Sequence, residues 1–229
     1  MNINETNYIN ILKKRVCDSI SNYINVTNID SIIEKNLIET HLKKKQSEDF
    51  QLYYFKTLND EYHYLNTDDF FKQFKKRYSL QGIDNDFLER LESKKLEILK
   101  AIRYDQLTQL YFDYFNKVAI KYGDNYMDKD LGSFFSKLVH TFRPEDYCAL
   151  DNPIKNYFGL AKESFVVSFF IISAAYKQWA KVNHTLIIDI RERLYLEDQK
   201  KIINFHKLTD IKLLDLIFWS KANKNENTR

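Results

Sequence analysis

Apolar residues recur every three or four positions along most of the chain, the period of a helix with one buried face. Tyr8, Leu12, Val16, Ile20 and Tyr23 form the first such stripe. A second follows Asn28, a good N-cap, with Ile29, Ile32, Ile33, Leu37 and Ile38. "HLKKKQSED" reads as a solvated turn, after which Ser47 can cap a helix carrying Phe50, Tyr53, Tyr54 and Leu58. Thr67 is the predicted cap of "DDFFKQFKKRY", whose acidic start suits the helix dipole.

Gly82 breaks the chain, and from Phe87 the periodicity resumes through Leu88, Leu91, Leu96, Leu99 and Ile102. It continues through "QLTQLYFDYFNKVAIKYG" to Gly123. As one helix this run would exceed about 50 Å, so two helices or a strong bend near Arg103–Asp105 are predicted. "DNYMDKDLG" is predicted as a polar loop. No run alternates cleanly beside turn glycines, which leaves room for no sheet beyond a short hairpin.

The next helix carries Phe134, Phe135, Leu138, Val139 and Phe142, with Ser136 and Lys137 expected on its other side, and Pro144 ends it. Asp151 or Asn152 caps the following helix, with Pro153 at its first position. "SFVVSFFIISAAY" is apolar all round and too short to span a membrane, so it is predicted as a buried central helix over 164–181. Asn183 or Thr185 caps the next helix, whose "RERLYLEDQKK" reads as a solvated face. The last helix starts at Thr209. The predicted fold is all-α, a multi-helix orthogonal bundle. The loop at 80–86 is the one internal boundary on offer. It would part an N-terminal helical subdomain (1–80) from a main domain (87–222) and a disordered tail (223–229), or lie within a single domain.

Composition agrees. Four glycines and two prolines in 229 residues are too few for the turns of a β-sandwich or a doubly wound fold. The glycines are too scattered for a phosphate-binding loop. A net charge of +3 is a slight footprint for a nucleic-acid binder, so any such surface must be local. Candidates are Lys75, Lys76 and Arg77, interleaved with Phe74 and Tyr78, and Arg143 and Lys155 further on. Seventeen Phe and sixteen Tyr exceed what a core ordinarily needs, which points to exposed aromatic patches and a protein partner. Two distant cysteines and an N-terminus without an apolar segment indicate a reducing, cytoplasmic setting. No close-spaced Cys or His pairs exist, so neither a metal nor another cofactor is expected.

One stretch concentrates chemistry: Lys137, His140, Arg143, Glu145, Asp146, Cys148 and Asp151. Cys148 sits among Tyr147, Ala149 and Leu150, which favours a small buried residue over a nucleophile. A carboxylate at a helix N-cap is held ionised and fixed in direction. Leu131, Gly132, Lys137, Pro144 and Asp151, taken in order, resemble the helix-hairpin-helix DNA glycosylase fold. There a leucine precedes a glycine-rich hairpin and a lysine, and an aspartate opens a later helix. The stretch is also similar to bacterial helical proteins with lysine, proline and aspartate in that order. The resemblance covers about 30 residues. It differs in having Phe134 and Phe135 where the hairpin has small residues, a shorter lysine-to-aspartate interval and no iron–sulfur cysteines. It implies an all-α fold, Lys137 as a nucleophile and Asp151 as an acid/base group. The expectation from the whole chain is a helical binding or accessory protein in a larger assembly, with nucleic acid as a candidate partner. The alternatives are a nucleic-acid-processing enzyme using Lys137 and Asp151, and an immunity-type module matched to one protein.

Overall fold

The computed structural model describes residues 3–42, 45–122, 125–198, 205 and 207–226. Among these the chain is all-α apart from one hairpin. The helices are α1 (Ile3–Tyr23), α2 (Ile29–Ile32), a π-helical continuation (Ile33–Leu42), α3 (Lys45–Thr57), α4 (Glu61–Asn66), α5 (Phe70–Arg77), α6 (Asn85–Ser93), α7 (Lys95–Arg103) and α8 (Leu107–Tyr114). Then come β1 (Val118–Tyr122), β2 (Asn125–Lys129), α9 (Gly132–Phe142), α10 (Asn152–Tyr157), α11 (Phe165–Val182), α12 (His184–Glu197) and α13 (Asp210–Glu226).

The apolar stripes become the core as the periodicity requires. Leu12, Val16 and Ile20 of α1 are buried, and this face packs along α11. α11 is the central buried helix, capped by Ser164, whose Oγ accepts from Val167 N. Phe169, Ile172, Ala175 and Tyr176 on it are fully enclosed. One buried cluster runs from Leu12 to Ala222 and takes in residues on both sides of 80–86. The aromatic surplus mostly lies here. Phe134 alone has the rings of Phe71, Phe74, Phe87 and Phe115 within 6.3 Å. The strongly exposed rings (Tyr8, Tyr62, Tyr104, Phe112, Tyr126) lie on different elements.

Several boundaries depart from the sequence reading. The long run from Phe87 is three helices. The break at Arg103–Asp105 exists because Asp105 adopts φ 59°, letting Gln106 N and Asp105 N bond back to the Ala101 and Ile102 carbonyls. Asp105 holds that costly conformation because its carboxylate accepts from Tyr147 Oη (2.6 Å) and Arg143 (3.1 Å). α8 then stops at Tyr114, and the expected helix end and polar loop are replaced by an antiparallel hairpin pairing Val118 with Lys129. Gly123 lies outside the described residues.

Asn28 makes no capping bond, its amide reaching back to the Tyr23 carbonyl instead. Of the expected turn at 41–49, His41 and Leu42 are π-helical, 43–44 lie outside the described residues, and α3 begins at Lys45, ahead of Ser47. Thr67 closes α4, and Asp69 in the left-handed region opens α5. Asn183 precedes α12 but makes no side-chain cap bond. Pro153 is the second residue of α10. The "RERLYLEDQKK" face is anchored at Arg191, which donates to the Phe205 and Leu208 carbonyls and pairs with Asp210. α13 is capped by Thr209, whose Oγ1 accepts from Lys212 N, and runs to Glu226, through much of the expected tail. Among the described residues no helix is long and apolar enough to cross a membrane.

α9 is enclosed on nearly every side, so the expected outer face is absent: Ser136 is fully buried and donates to the Leu150 carbonyl at 2.7 Å. Gly132 opens this helix against α11, where a Cβ would collide with the Phe165 ring. Gly132→Ala is therefore expected to lower stability by about 1–3 kcal/mol through overpacking, read as a reduced urea midpoint at unchanged m-value. A midpoint equal to that of the unsubstituted protein would contradict this close approach.

Candidate functional site

The site is built on three segments. Pro144 prevents α9 from continuing, and Arg143 is tied to Asp105 and Asp146, so the chain turns sharply. The turn returns through Tyr147–Leu150 and starts α10 at Asp151. α13 then crosses this turn: Thr209 Oγ1 donates to the Pro144 carbonyl and Asp215 Oδ2 accepts from Ala149 N at 2.7 Å. Between α13, the π-helix, α3, the end of α5 and the α9–α10 turn lies a cleft of about 320 Å³. That is enough space for a small ligand.

Lys137 of α9 and Asp151 both line this cleft, joined by Lys212 and Asp215 of α13. Phe50, Tyr78 and Trp219 give it aromatic walls. Asp151 Oδ1 accepts from Ile154 N at 3.2 Å, the N-cap bond of α10, and this fixes the carboxylate's direction. Lys137 Nζ donates to Ser133 Oγ at 2.6 Å. Loss of water around its ammonium lowers the pKa, against the opposing pull of Asp151 and Asp215. Asp215 is buried, its Oδ1 has no hydrogen-bond partner, and burial raises its pKa to about 6. Lys212 is 5% exposed, with Nζ 4.9 Å from the centroid of the Tyr54 ring and 5.9 Å from that of Phe50. Burial lowers its pKa too, opposed by Asp215 and reinforced by Lys137.

His140 backs this cluster. Its Nδ1 lies 2.6 Å from the Tyr147 carbonyl, which can only accept, so Nδ1 carries the proton and Nε2 accepts from Tyr54 Oη at 3.0 Å. Burial and the Lys212 charge push its pKa down to about 3 and hold the ring neutral. Cys148 is enclosed, bonded to Ser173 through both N and Sγ, and burial raises its thiol pKa well above the ordinary value, which disarms it as a nucleophile.

The remaining expected binding residues scatter. Arg77 lines the cleft, its guanidinium 5.7 Å from the Tyr53 ring centroid. Lys75 donates to the Ile83 carbonyl and, with exposed Lys76, borders a shallow groove that shares Ser79 with the cleft. Arg143 is engaged by Asp105 and Asp146, and Lys155 is buried, donating to the Glu163 carbonyl. Neither lines the cleft.

Lys212 and Asp215 are the residues sequence reasoning passed over. Their signal is two opposite charges at i and i+3 within "IKLLDLIF", a stretch otherwise apolar all round. Charges there must enter the core or a cavity. Among the described residues no group of three or more His, Cys, Asp or Glu could hold a metal ion. No protein-family model matches the chain, and no curated protein or solved structure is detectably similar to it.

Proposed function

We propose that the cleft is the active site of an enzyme acting on nucleic acid, with the Lys137 amine as nucleophile and Asp151 as its carboxylate partner. The observation that carries this reading is their convergence: a desolvated amine and a direction-fixed carboxylate line one concave site. An ammonium has no lone pair to offer, and burial favours the neutral amine that does. Attack at the sugar C1′ carbon would form a C–N bond while the bond to the base breaks with its electron pair on the base. Asp151 would take the proton that the Lys137 nitrogen gives up. Ring opening of the adduct then leaves an imine. The aromatic walls suit a flat base, and Arg77 on the same cleft would supply the cation for a phosphate of the strand.

A second reading, favoured by the bonds Lys137 makes to Ser133 and Asp151 makes to its helix, is a pocket that binds a nucleotide without chemistry, in a protein serving a larger assembly with a protein partner. Borohydride separates the two. An oligonucleotide with one abasic site presents an aldehyde, and the enzyme reading expects a covalent protein–DNA adduct on reduction. Lys137→Gln should abolish it. An adduct formed equally by the variant, or by neither protein, would end the enzyme reading.

A further inference from the structure

We propose that Lys212 is a second catalytic amine of this cleft, the acid that protonates the group leaving the carbon attacked by Lys137. This rests on the nucleophile reading of Lys137. Lys212 is a buried cation, and among the described residues no hydrogen bond or ion pair engages its Nζ. Buried ammonium groups are ordinarily paired, because the loss of hydration has to be offset. Here the offset comes from two rings, Phe50 and Tyr54, and from the nearby Asp215 carboxylate, so its N–H donors stay available to a ligand. The charged and titratable groups around it are Asp215 on its own helix, Lys137 and His140 on α9, Asp151 at the start of α10, and Tyr54 on α3. Neutral His140 contributes no charge, and Asp151 already serves as the cap and faces the nucleophile. Besides Lys137, Lys212 is the one lysine on the cleft wall, and it is buried there. Its lowered pKa makes it a stronger acid than a surface lysine.

On an aldehyde the proton inventory closes. Addition of the Lys137 nitrogen leaves an oxyanion and a cationic nitrogen, and one nitrogen proton reaches the oxygen by way of Asp151. The hydroxyl departs as water on taking a second proton from Lys212 Nζ. The Lys137 lone pair closes the C=N bond as a protonated imine, and solvent restores the Lys212 proton.

The test measures the rate of cyanoborohydride trapping on a single-stranded oligonucleotide with one abasic site, from pH 5 to 9. Lys212→Met is expected to slow trapping by roughly 10²-fold or more across this range. Lys212→Arg should be equally slow, because a guanidinium keeps the charge but does not release a proton at these pH values. Far-ultraviolet circular dichroism and a cooperative urea transition show whether each variant is folded; Lys212→Gln replaces the methionine variant if that one fails to fold. Trapping by the methionine variant within threefold of the unsubstituted protein, or full rescue by arginine, overturns the assignment while leaving Lys137 in place. Absence of trapping in the unsubstituted protein overturns both.

Discussion

Asp215→Asn is expected to make the protein lose stability on mild acidification, over a pH range where the unsubstituted protein changes little. The reason is two buried groups whose titrations oppose each other. His140 is held neutral, with a pKa of about 3 against an ordinary 6.5. Between those values the unfolded chain binds a proton that the folded one refuses. Stability therefore rises with pH through that window and is lost as pH falls. Asp215 is shifted the other way, to about 6 from 3.8. Between those values the folded chain holds the extra proton, so stability falls as pH rises. At 1.36 kcal/mol per unit, the two effects are on the order of 5 and 3 kcal/mol, and in the shared interval from about pH 4 to 6 they largely cancel.

Removing the carboxylate leaves the histidine slope exposed. Asp215→Asn should lose roughly 3 kcal/mol between pH 6 and 4, whereas His140→Gln should gain a similar amount over the same range. Urea unfolding at closely spaced pH values, taken as differences from the unsubstituted protein so that common carboxylates drop out, measures this directly. Superimposable profiles for all three proteins would mean that neither group titrates with the shift that its burial implies. The same titration bears on the site, since the carboxylate that gains a proton near pH 6 is the one beside Lys212.

Phe134→Ala is expected to cost about 3–5 kcal/mol, the range for removing a fully buried ring that cannot be replaced by collapse. The ring is the hub where α5, α6, the end of α8 and α9 meet, with centroids 5.2–6.3 Å from Phe74, Phe115, Phe71 and Phe87. Each of those neighbours is itself pinned by another ring, as Phe70 pins Phe74 and Phe135 pins Phe115, so the site cannot collapse to fill the void. In a chain of this size the loss corresponds to a fall in Tm of about 10 °C. A fall of under 2 °C would show that the aromatic core is loosely packed. Because α9 carries Lys137 three residues on, the variant should also weaken adduct formation, in proportion to its unfolded fraction.

The sequence pattern by itself determined the all-α architecture and the central helix, and narrowed the α10 cap to Asp151 or Asn152. Each follows from local rules: a 3.6-residue period, a shortage of glycine and proline, and a carboxylate placed before Pro153. Lys137 and Asp151 are singled out by the resemblance that the 131–151 stretch carries, not by the periodicity. The tertiary structure decided the rest, because the deciding partners lie far along the chain. Asp105 leaves the helical region to meet Arg143 and Tyr147 across about forty residues. Ser136 turns inward because the Leu150 carbonyl needs a donor. Above all, Lys212 and Asp215 belong to the same cleft as Lys137 only because α13 packs across the α9–α10 turn, with Ala149 N as the anchor of Asp215. In sequence those two charges interrupt an apolar helix. In the fold they join Lys137 and Asp151 in one cleft, and what sets the protonation of Lys212 and Asp215 is the water these two lose, which no local pattern encodes.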